Sequence, residues 1–127
     1  MSDPVWIDEA DVLAIHDRLV ELHGGSAGLR DASLLTSALA QPLQHLAYSN
    51  VDIIDLATAY VTGIVRNHPF VDGNKRTGFV VGILFLELNG YRFTAREADA
   101  AQAVLGIAAG TLNEVGFGSF LRANTKR

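Results

Sequence analysis

Apolar residues recur along the chain at helical spacing, in segments that are separated by short turns. The first segment has an apolar stripe made of Val12, Ile15, Leu19 and Leu22. Asp8, followed by Asp11, is typical of a capped helix start, and the Gly24-Gly25 pair is typical of a helix end. This segment therefore predicts the first helix of the protein.

Two further helices are predicted before residue 69. Asp31 can cap the second helix, and Pro42 should end it, because the residue before a proline is pushed out of the helical region. Residues 41–51 show no helical stripe, and we interpret them as a loop or a short pair of strands. Asp52 then opens a third helix, which Pro69 should end.

A fourth helix is predicted to begin near Gly73-Asn74 and to stop at Asn89-Gly90. Its segment 79–86 is apolar on all sides, which is typical of a central, buried helix. Because Pro69 should end the third helix, His68 lies at or just past the C-terminal end of that helix.

Two matches to the capping box predict the last two helices. Thr94 with Glu97 starts a fifth helix that ends near Gly110, and Thr111 with Glu114 starts a sixth. The pattern as a whole predicts an all-α protein of about six helices, with residues 1–127 in a single domain.

Composition narrows the classes of function. The chain has 127 residues and no cysteine, which excludes a disulfide scaffold, thiol catalysis and cysteine–zinc sites. Ten lysines and arginines against fourteen aspartates and glutamates give a net charge of −4, which disfavours bulk binding of nucleic acid. We see no signal peptide at the N-terminus, and the longest apolar run, residues 79–86, is too short to span a membrane. We therefore expect a cytoplasmic protein.

Several familiar sites are missing. The sequence has no P-loop, no dinucleotide fingerprint and no H-E-x-x-H pair. His16 and His23 could share a helix face, but spacing provides no third ligand. We therefore interpret them as solvated or core histidines rather than as metal ligands.

Polar chemistry is concentrated between the third and fourth helices, from Arg66 to Gly78. This stretch contains an imidazole, a carboxylate, two amides, three cations and two glycines. The fourth helix presents its free N–H groups, its positive dipole end and the side chains of Lys75 and Arg76 to the loop before it. Such an arrangement predicts an anion site that is suited to a phosphate chain.

Each residue of the stretch has a functional and a structural interpretation. His68 is either a proton acceptor or a C-cap that bonds the last carbonyls of the third helix. Asp72 could be a ligand of Mg²⁺, the N-cap of the fourth helix, or both at once. Asn74 and Arg76 either bind phosphate oxygens or are first-turn surface residues, and Gly73 permits either close approach of a ligand or a simple turn.

Phe70 is interpreted as an apolar anchor for the loop, and Pro69 as structural too. Neither side chain carries a group that could transfer a proton or bind phosphate.

Residues His68 to Gly78 read H-P-F-V-D-G-N-K-R-T-G. They resemble the Fic motif, H-x-F-x-D/E-G-N-x-R, in the form found in Doc (death-on-curing) toxins, where N-K-R-T follows. The resemblance extends to Leu13–Asp17, to Gly24-Gly25 and to Leu86–Gly90, and so covers essentially the whole chain. Membership of the Fic/Doc family implies a compact all-helical fold, with residues 41–51 as a short flap before the third helix.

The family transfers part of a nucleoside triphosphate to a hydroxyl of a protein target. In Fic enzymes this part is usually AMP, and in the Doc form it is a phosphoryl group placed on a threonine of elongation factor Tu. The resemblance therefore implies a toxin kinase that uses ATP and Mg²⁺, blocks translation and is neutralised by a cognate antitoxin. It implies no direct nucleic-acid or membrane partner.

The same resemblance assigns roles to residues of this chain. His68 would be the base that accepts the hydroxyl proton, and Asp72 would be the Mg²⁺ ligand. The remaining residues would bind the nucleotide; they are Arg66, Gly73, Asn74, Lys75 and Arg76.

Two positions depart from the pattern of AMP-transferring enzymes. Lys75 stands where those enzymes have glycine, and Phe79 where they have a second arginine. Both departures favour phosphoryl transfer. The alternatives are an adenylyltransferase on the same scaffold and a catalytically silent binding module, although intact His68, Asp72, Asn74 and Arg76 argue against the silent module.

Overall fold

The computed structural model describes residues 3–127, and within them it has six helices and one short pair of strands. The elements are α1 (Glu9–His23), α2 (Ala32–Tyr48), α3 (Ile53–Asn67), α4 (Asn74–Leu88), β1 (Arg92–Phe93), α5 (Glu97–Ala109), α6 (Glu114–Ala123) and β2 (Thr125–Lys126). The predicted all-α fold of about six helices is confirmed. No helix in the described part of the chain is both long and apolar enough to cross a bilayer.

The strand pair was not predicted. β1 and β2 are antiparallel, with Arg92 opposite Lys126 and Phe93 opposite Thr125. Strands of this length show no alternation of apolar and polar residues that sequence analysis could detect. The pair fastens the connection between α4 and α5 to the C-terminus.

The central helix is α3, and the prediction that α4 occupies this place is wrong. Every residue of α3 from Ile53 to Val65 is buried except Asp55. The hydroxyls of Thr58 and Thr62 are satisfied inside the helix, since they donate to the carbonyls of Ile54 and Thr58. In α4 one face is buried, while Leu88 at its end is exposed. An apolar sequence on all sides therefore predicted the most buried helix less well than a sequence of small side chains whose polar groups are hydrogen-bonded within the helix.

Close approach of α3 and α4 depends on two glycines of α4. A Cβ atom at Gly78 would lie 2.9 Å from Val65 Cγ2, and one at Gly82 would overlap with Val61 Cγ2. Larger residues at these positions would push the helices apart. The two helices that flank the polar stretch are thus held at a fixed distance.

The aspartate caps at the starts of α1, α2 and α3 are confirmed. Asp8 and Asp11 form a reciprocal capping box, and so do Asp52 and Asp55. Asp31 accepts a hydrogen bond from the Ser33 N–H at 2.9 Å. The predicted helix ends at Gly24, Asn89 and Gly110 are confirmed as well.

The starts predicted for α5 and α6 are wrong. Thr94 does not cap α5, because its N–H and its hydroxyl both donate to the carbonyl of Asn124 beside the strand pair. α5 begins after Arg96, which makes no side-chain cap. Thr111 donates back to the Gly106 carbonyl, and Asn113 caps α6 instead by accepting from the Gly116 N–H.

The prediction for residues 41–51 is also wrong, since α2 continues through Pro42 to Tyr48. Proline removes the N–H that would bond the Ala38 carbonyl one turn earlier. That carbonyl faces Gly63 of α3, where a Cβ atom would be 3.3 Å from it. Packing against α3 therefore carries the helix past the proline, and the expected flap is absent from this segment.

An extended edge next to the polar stretch comes instead from residues 24–31. Leu29 forms an antiparallel bridge with Phe70, and the Val71 N–H donates to the Gly28 carbonyl at 3.1 Å. This segment, which we call the brace, connects α1 to α2. It runs beside the loop between α3 and α4.

Candidate active site

The motif loop, residues 68–73, joins the end of α3 to the start of α4. His68 is the C-cap of α3, and its N–H donates to the Ile64 carbonyl. Its backbone is left-handed, with φ of 52°, and within residues 3–127 it is the one residue other than glycine with a positive φ. This conformation is unfavourable for a side chain with a Cβ atom, so surrounding contacts must maintain it.

The last carbonyls of α3 are bound by Arg30 of the brace. Its Nε donates to the His68 carbonyl at 2.7 Å and its Nη2 to the Asn67 carbonyl at 3.0 Å. The alternative in which the His68 side chain bonds these carbonyls is therefore wrong. The His68 imidazole is exposed, so it is accessible to a substrate.

Two buried side chains hold the middle of the loop. Asn74 accepts a hydrogen bond from the Phe70 N–H and donates to the Phe70 carbonyl, each at 2.9 Å. Phe70 is buried, as expected for an apolar anchor. Since the Asn74 amide is committed to Phe70, what Asn74 offers a ligand is its main-chain N–H.

His16 of α1 supports the end of the loop. Its ring stacks on Phe70 with centroids 3.8 Å apart, and its Nε2 donates to the Asp72 carbonyl at 2.7 Å. It is buried, whereas His23 is exposed. Within the part of the chain that the structure describes, no three histidines or carboxylates gather as a metal site.

The carboxylate of Asp72 binds two main-chain N–H groups. Oδ1 accepts from Gly73 at 2.8 Å and Oδ2 from Ser26 of the brace at 3.2 Å. A Cβ atom at Gly25 would lie 2.7 Å from Oδ2, and the φ of 103° at this position also favours glycine. The prediction of Asp72 as an N-cap is wrong, because that position is occupied by Gly73.

The start of α4 is open. Gly73 is the N-cap, with φ of 81° and no side-chain cap. The main-chain N–H groups of Asn74, Lys75 and Arg76 have no acceptor among residues 3–127, while the next N–H, of Thr77, bonds Gly73. The side chains of Lys75 and Arg76 are exposed at this end. Unpaired donors, the helix dipole and two cations together make this helix start suited to an anion.

These groups surround one cavity of about 660 Å³. All seven residues singled out from the sequence line it: Arg66, His68, Asp72, Gly73, Asn74, Lys75 and Arg76. The opposite wall is the end of α5, from Ile107 to Gly110. Sequence reasoning missed this wall, because alanines and a glycine carry no functional group that would single them out.

A second depression, the α1/α4/α5 groove, has a volume of about 780 Å³ and shares Lys75 and Arg76 with the cavity. Its apolar lining includes Leu19, Phe79, Val80, Phe93, Val104 and Leu105. The ring of Phe79 packs edge-on against Phe93 with centroids 5.6 Å apart. Phe79 therefore belongs to the groove and is not among the residues that line the cavity.

Arg30 and His16 are the residues that sequence analysis missed. No sequence pattern indicates Arg30. His16 is buried, in agreement with the prediction of a core or solvated histidine, but its contact with the motif loop was not predicted. Their partners lie 38 and 56 positions away along the chain, so no local pattern could reveal these contacts. The left-handed backbone of His68 was equally invisible.

Comparison with known proteins places this site among relatives. A family model described as the Fic/DOC family matches residues 6–86, from before α1 into α4. Protein kinase doc of Escherichia phage P1 is 27% identical over 108 residues, which are 84% of this chain and 85% of that protein. Toxin Doc of Mycolicibacterium smegmatis is 37% identical over 94 residues, which are 71% of this chain and 68% of that protein.

Proposed function

The chain belongs to the Fic/DOC family, and from this membership we propose that it is a toxin that acts as a protein kinase. It transfers the terminal phosphoryl group of ATP to a threonine or serine hydroxyl of a translation elongation factor, and a cognate antitoxin neutralises it. One relative is named a protein kinase and another a toxin. The observation that carries the proposal is that the His68 imidazole and the open start of α4 line the same cavity.

His68 is the general base. Its imidazole accepts the proton of the target hydroxyl while that oxygen bonds to the γ-phosphorus of ATP. The bond from the γ-phosphorus to the bridging oxygen breaks, and ADP leaves. The open cavity mouth and the exposed imidazole allow a target side chain to reach this point.

The start of α4 holds the phosphate chain. The N–H groups of Asn74, Lys75 and Arg76 are preorganised donors, because the helix fixes their direction. The side chains of Lys75 and Arg76 add charge-assisted hydrogen bonds, and Arg66 can reach the nucleotide from α3. Gly73 lets the phosphates approach the helix end without a Cβ atom in the way.

Asp72 is the residue that would hold Mg²⁺. Mg²⁺ is commonly bound by one or two carboxylates together with substrate phosphates and water, so a single acidic residue fits this metal. The Asp72 carboxylate retains lone pairs beyond its bonds to Gly73 and Ser26. Bound Mg²⁺ would neutralise phosphate charge during transfer.

The proposal favours the terminal phosphoryl group over AMP because of position 79. AMP transfer places the α-phosphate before the base, and the outer phosphates then need a further cation beyond the helix start. Here position 79 is a phenylalanine that packs on Phe93 in the neighbouring groove. The cations that line the cavity are Arg66, Lys75 and Arg76. In our proposal they hold the γ-phosphate next to His68.

The antitoxin segment is assigned to the α1/α4/α5 groove. The groove combines an apolar floor with three basic residues, His23, Lys75 and Arg76. Glu97 is the acidic residue that lines it. An amphipathic helix with acidic flanks complements this surface. Such a partner would also occupy two cations of the phosphate site. Because the proposed target and ATP are both found in the cytoplasm, our proposal implies that the protein acts there.

The test uses purified protein, a purified elongation factor of the Tu type, and ATP labelled separately at the α- and γ-positions. We expect γ-label in the target and a mass increase of one phosphoryl group. Incorporation of α-label with an adenylyl mass increase would replace this proposal with AMP transfer. Absence of any modification, of this factor or of other translation proteins, would contradict the kinase proposal.

A further inference from the structure

We propose that Arg30, which lies outside the motif and outside the cavity lining, is a positioning residue that holds His68 in its reactive orientation. This inference rests on the proposed role of His68 as the base. Arg30 belongs to the brace, and its guanidinium contacts the main chain where α3 meets the motif loop.

Three consecutive carbonyls of the chain turn toward Arg30. The guanidinium binds those of Asn67 and His68, and the Arg30 N–H donates to the Pro69 carbonyl at 2.7 Å. The neighbouring N–H of Asp31 donates to the Pro69 carbonyl too, at 3.0 Å. The backbone on both sides of the His68 Cα atom is therefore fixed from one residue and its neighbour.

This fixation matters because His68 has a backbone conformation that it would otherwise avoid. With φ at 52° His68 lines the cavity, whereas a relaxed negative φ would change the backbone from which its side chain extends. The carbonyls at the end of a helix carry partial negative charge, which a cation stabilises. The guanidinium binds both carbonyls at once through its planar fork, which a lysine cannot do.

Loss of the Arg30 side chain should change catalysis without removing a ligand contact. Arg30 is exposed, so truncation leaves no cavity in the core. The bridge from Leu29 to Phe70 and the main-chain donors to Pro69 remain, and they keep the brace in place. The expected defect is therefore a mobile imidazole beside an intact phosphate site.

The experiment compares wild type, Arg30→Ala, Arg30→Lys and Arg18→Ala in steady-state phosphorylation of the target. Arg18 is the matched control, since it is an exposed arginine of α1 whose partner is Glu21, one turn away. In Arg30→Ala we expect kcat to fall about 10- to 100-fold with an unchanged KM for ATP, because small misplacement of a reacting group has effects of this size. Arg30→Lys should recover only part of the rate, and Arg18→Ala should match wild type.

Added guanidinium ion provides a second arm. At concentrations that do not unfold the protein, it should restore part of the activity of Arg30→Ala and none of that of His68→Ala. Such rescue would show that the lost rate depends on a guanidinium group at the Asn67 and His68 carbonyls. A wild-type kcat in Arg30→Ala, or a raised KM at unchanged kcat, would overturn the inference while leaving the proposed function intact.

A third arm needs no activity. The intraresidue NOE between the His68 amide and Hα protons is strong only at positive φ, and we expect it to weaken in Arg30→Ala and to persist in Arg18→Ala. If wild type modifies no target, the proposed function fails, and this NOE still decides whether Arg30 holds His68. An unchanged NOE in Arg30→Ala would overturn the inference.

Discussion

The starts of α3 and α4 are built in opposite ways although the two helices have the same length, 15 residues. At the start of α3, Asp52 accepts from the Asp55 N–H at 2.9 Å, and Asp55 accepts from the Asp52 N–H at 3.0 Å. Arg122 binds both carboxylates. At the start of α4 there is a glycine without a side-chain cap, and three N–H groups in a row have no acceptor in residues 3–127.

The difference separates a structural helix end from one that can bind a ligand. Equal helices have equal dipoles, so the contrast comes from the cap residues and their neighbours. At α3 a carboxylate caps the helix start by accepting from the Asp55 N–H, and Arg122 binds the two carboxylates there. At α4 the donors are open and positive charge is added by Lys75 and Arg76, which leaves the site ready for an anion.

The largest expected effect tests whether anion binding at the start of α4 and proton transfer by His68 are separate functions. His68→Ala should reduce target phosphorylation about 10²- to 10⁴-fold through loss of the general base. Nucleotide affinity, measured by calorimetry, should be unchanged because the start of α4 remains intact.

His45→Ala is the control for His68→Ala, since His45 is a partly exposed histidine of α2 whose ring lies 3.9 Å from Glu114. It should leave phosphorylation unchanged. Full activity of His68→Ala would remove this histidine from the mechanism.

A second prediction closes the open start of α4. Gly73→Asp places a carboxylate at the start of α4, where α3 has one. Nucleotide affinity should fall about 10- to 100-fold, since the charge-assisted contacts that the carboxylate would disturb are worth roughly 1.5–3 kcal/mol. Gly73→Asn is the matched control, because both residues tolerate a left-handed backbone comparatively well. A Cβ atom here would be 3.6 Å from the His16 ring, an ordinary contact.

The two Gly73 variants should therefore differ by charge alone. Equal loss of ATP binding in both, measured by calorimetry, would show that shape rather than charge decides. In that case the comparison between the two helix starts would not hold.

The smallest effect concerns the closed start of α3. The hydrogen bond from Arg122 lowers the pKa of Asp52 from 3.8 to about 2. A carboxylate with a lowered folded-state pKa stabilises the protein above its unfolded pKa, and the contribution is lost as pH falls through the folded pKa. Because this side chain is about half exposed, we expect a contribution of about 1 kcal/mol.

Asp52→Asn keeps an equally good N-cap and removes the charge. In urea unfolding it should be less stable than wild type at pH 7, and the difference should shrink between pH 4 and pH 2. Asp8→Asn, at a capping box without an arginine partner, should show less of this trend. A difference that stays constant with pH would contradict the assignment to Asp52, and ATP binding should not change.

Sequence analysis predicted the helix starts that depend on local contacts. The aspartates at positions 8, 31 and 52 bond N–H groups two or three residues later, so the pattern contains both partners. Thr94 and Thr111 fit the same pattern but bond the carbonyls of Asn124 and Gly106. Pro42 failed as a stop for a similar reason, because contact with α3 outweighs the local preference of proline.

The candidate site followed the same rule. Its seven predicted residues are close in sequence, and they do line one cavity, although their chemical roles remain predictions. The supports from Arg30 and His16, the α5 wall and the left-handed backbone of His68 all depend on tertiary contacts. Local sequence therefore predicted which residues line the cavity, and the fold supplies their orientation.

The close packing of α3 against α4 at Gly78 and Gly82 also bears on the order in which the chain folds. The two helices are joined by residues 68–73 alone, so their contacts are local, and local contacts form fast. Arg30 and His16 reach the motif loop from 38 and 56 positions away, and closing such long loops is slower. We expect the α3–α4 hairpin to form first and the brace and α1 to dock afterwards, so a newly made chain carries the complete motif before it has an ordered site.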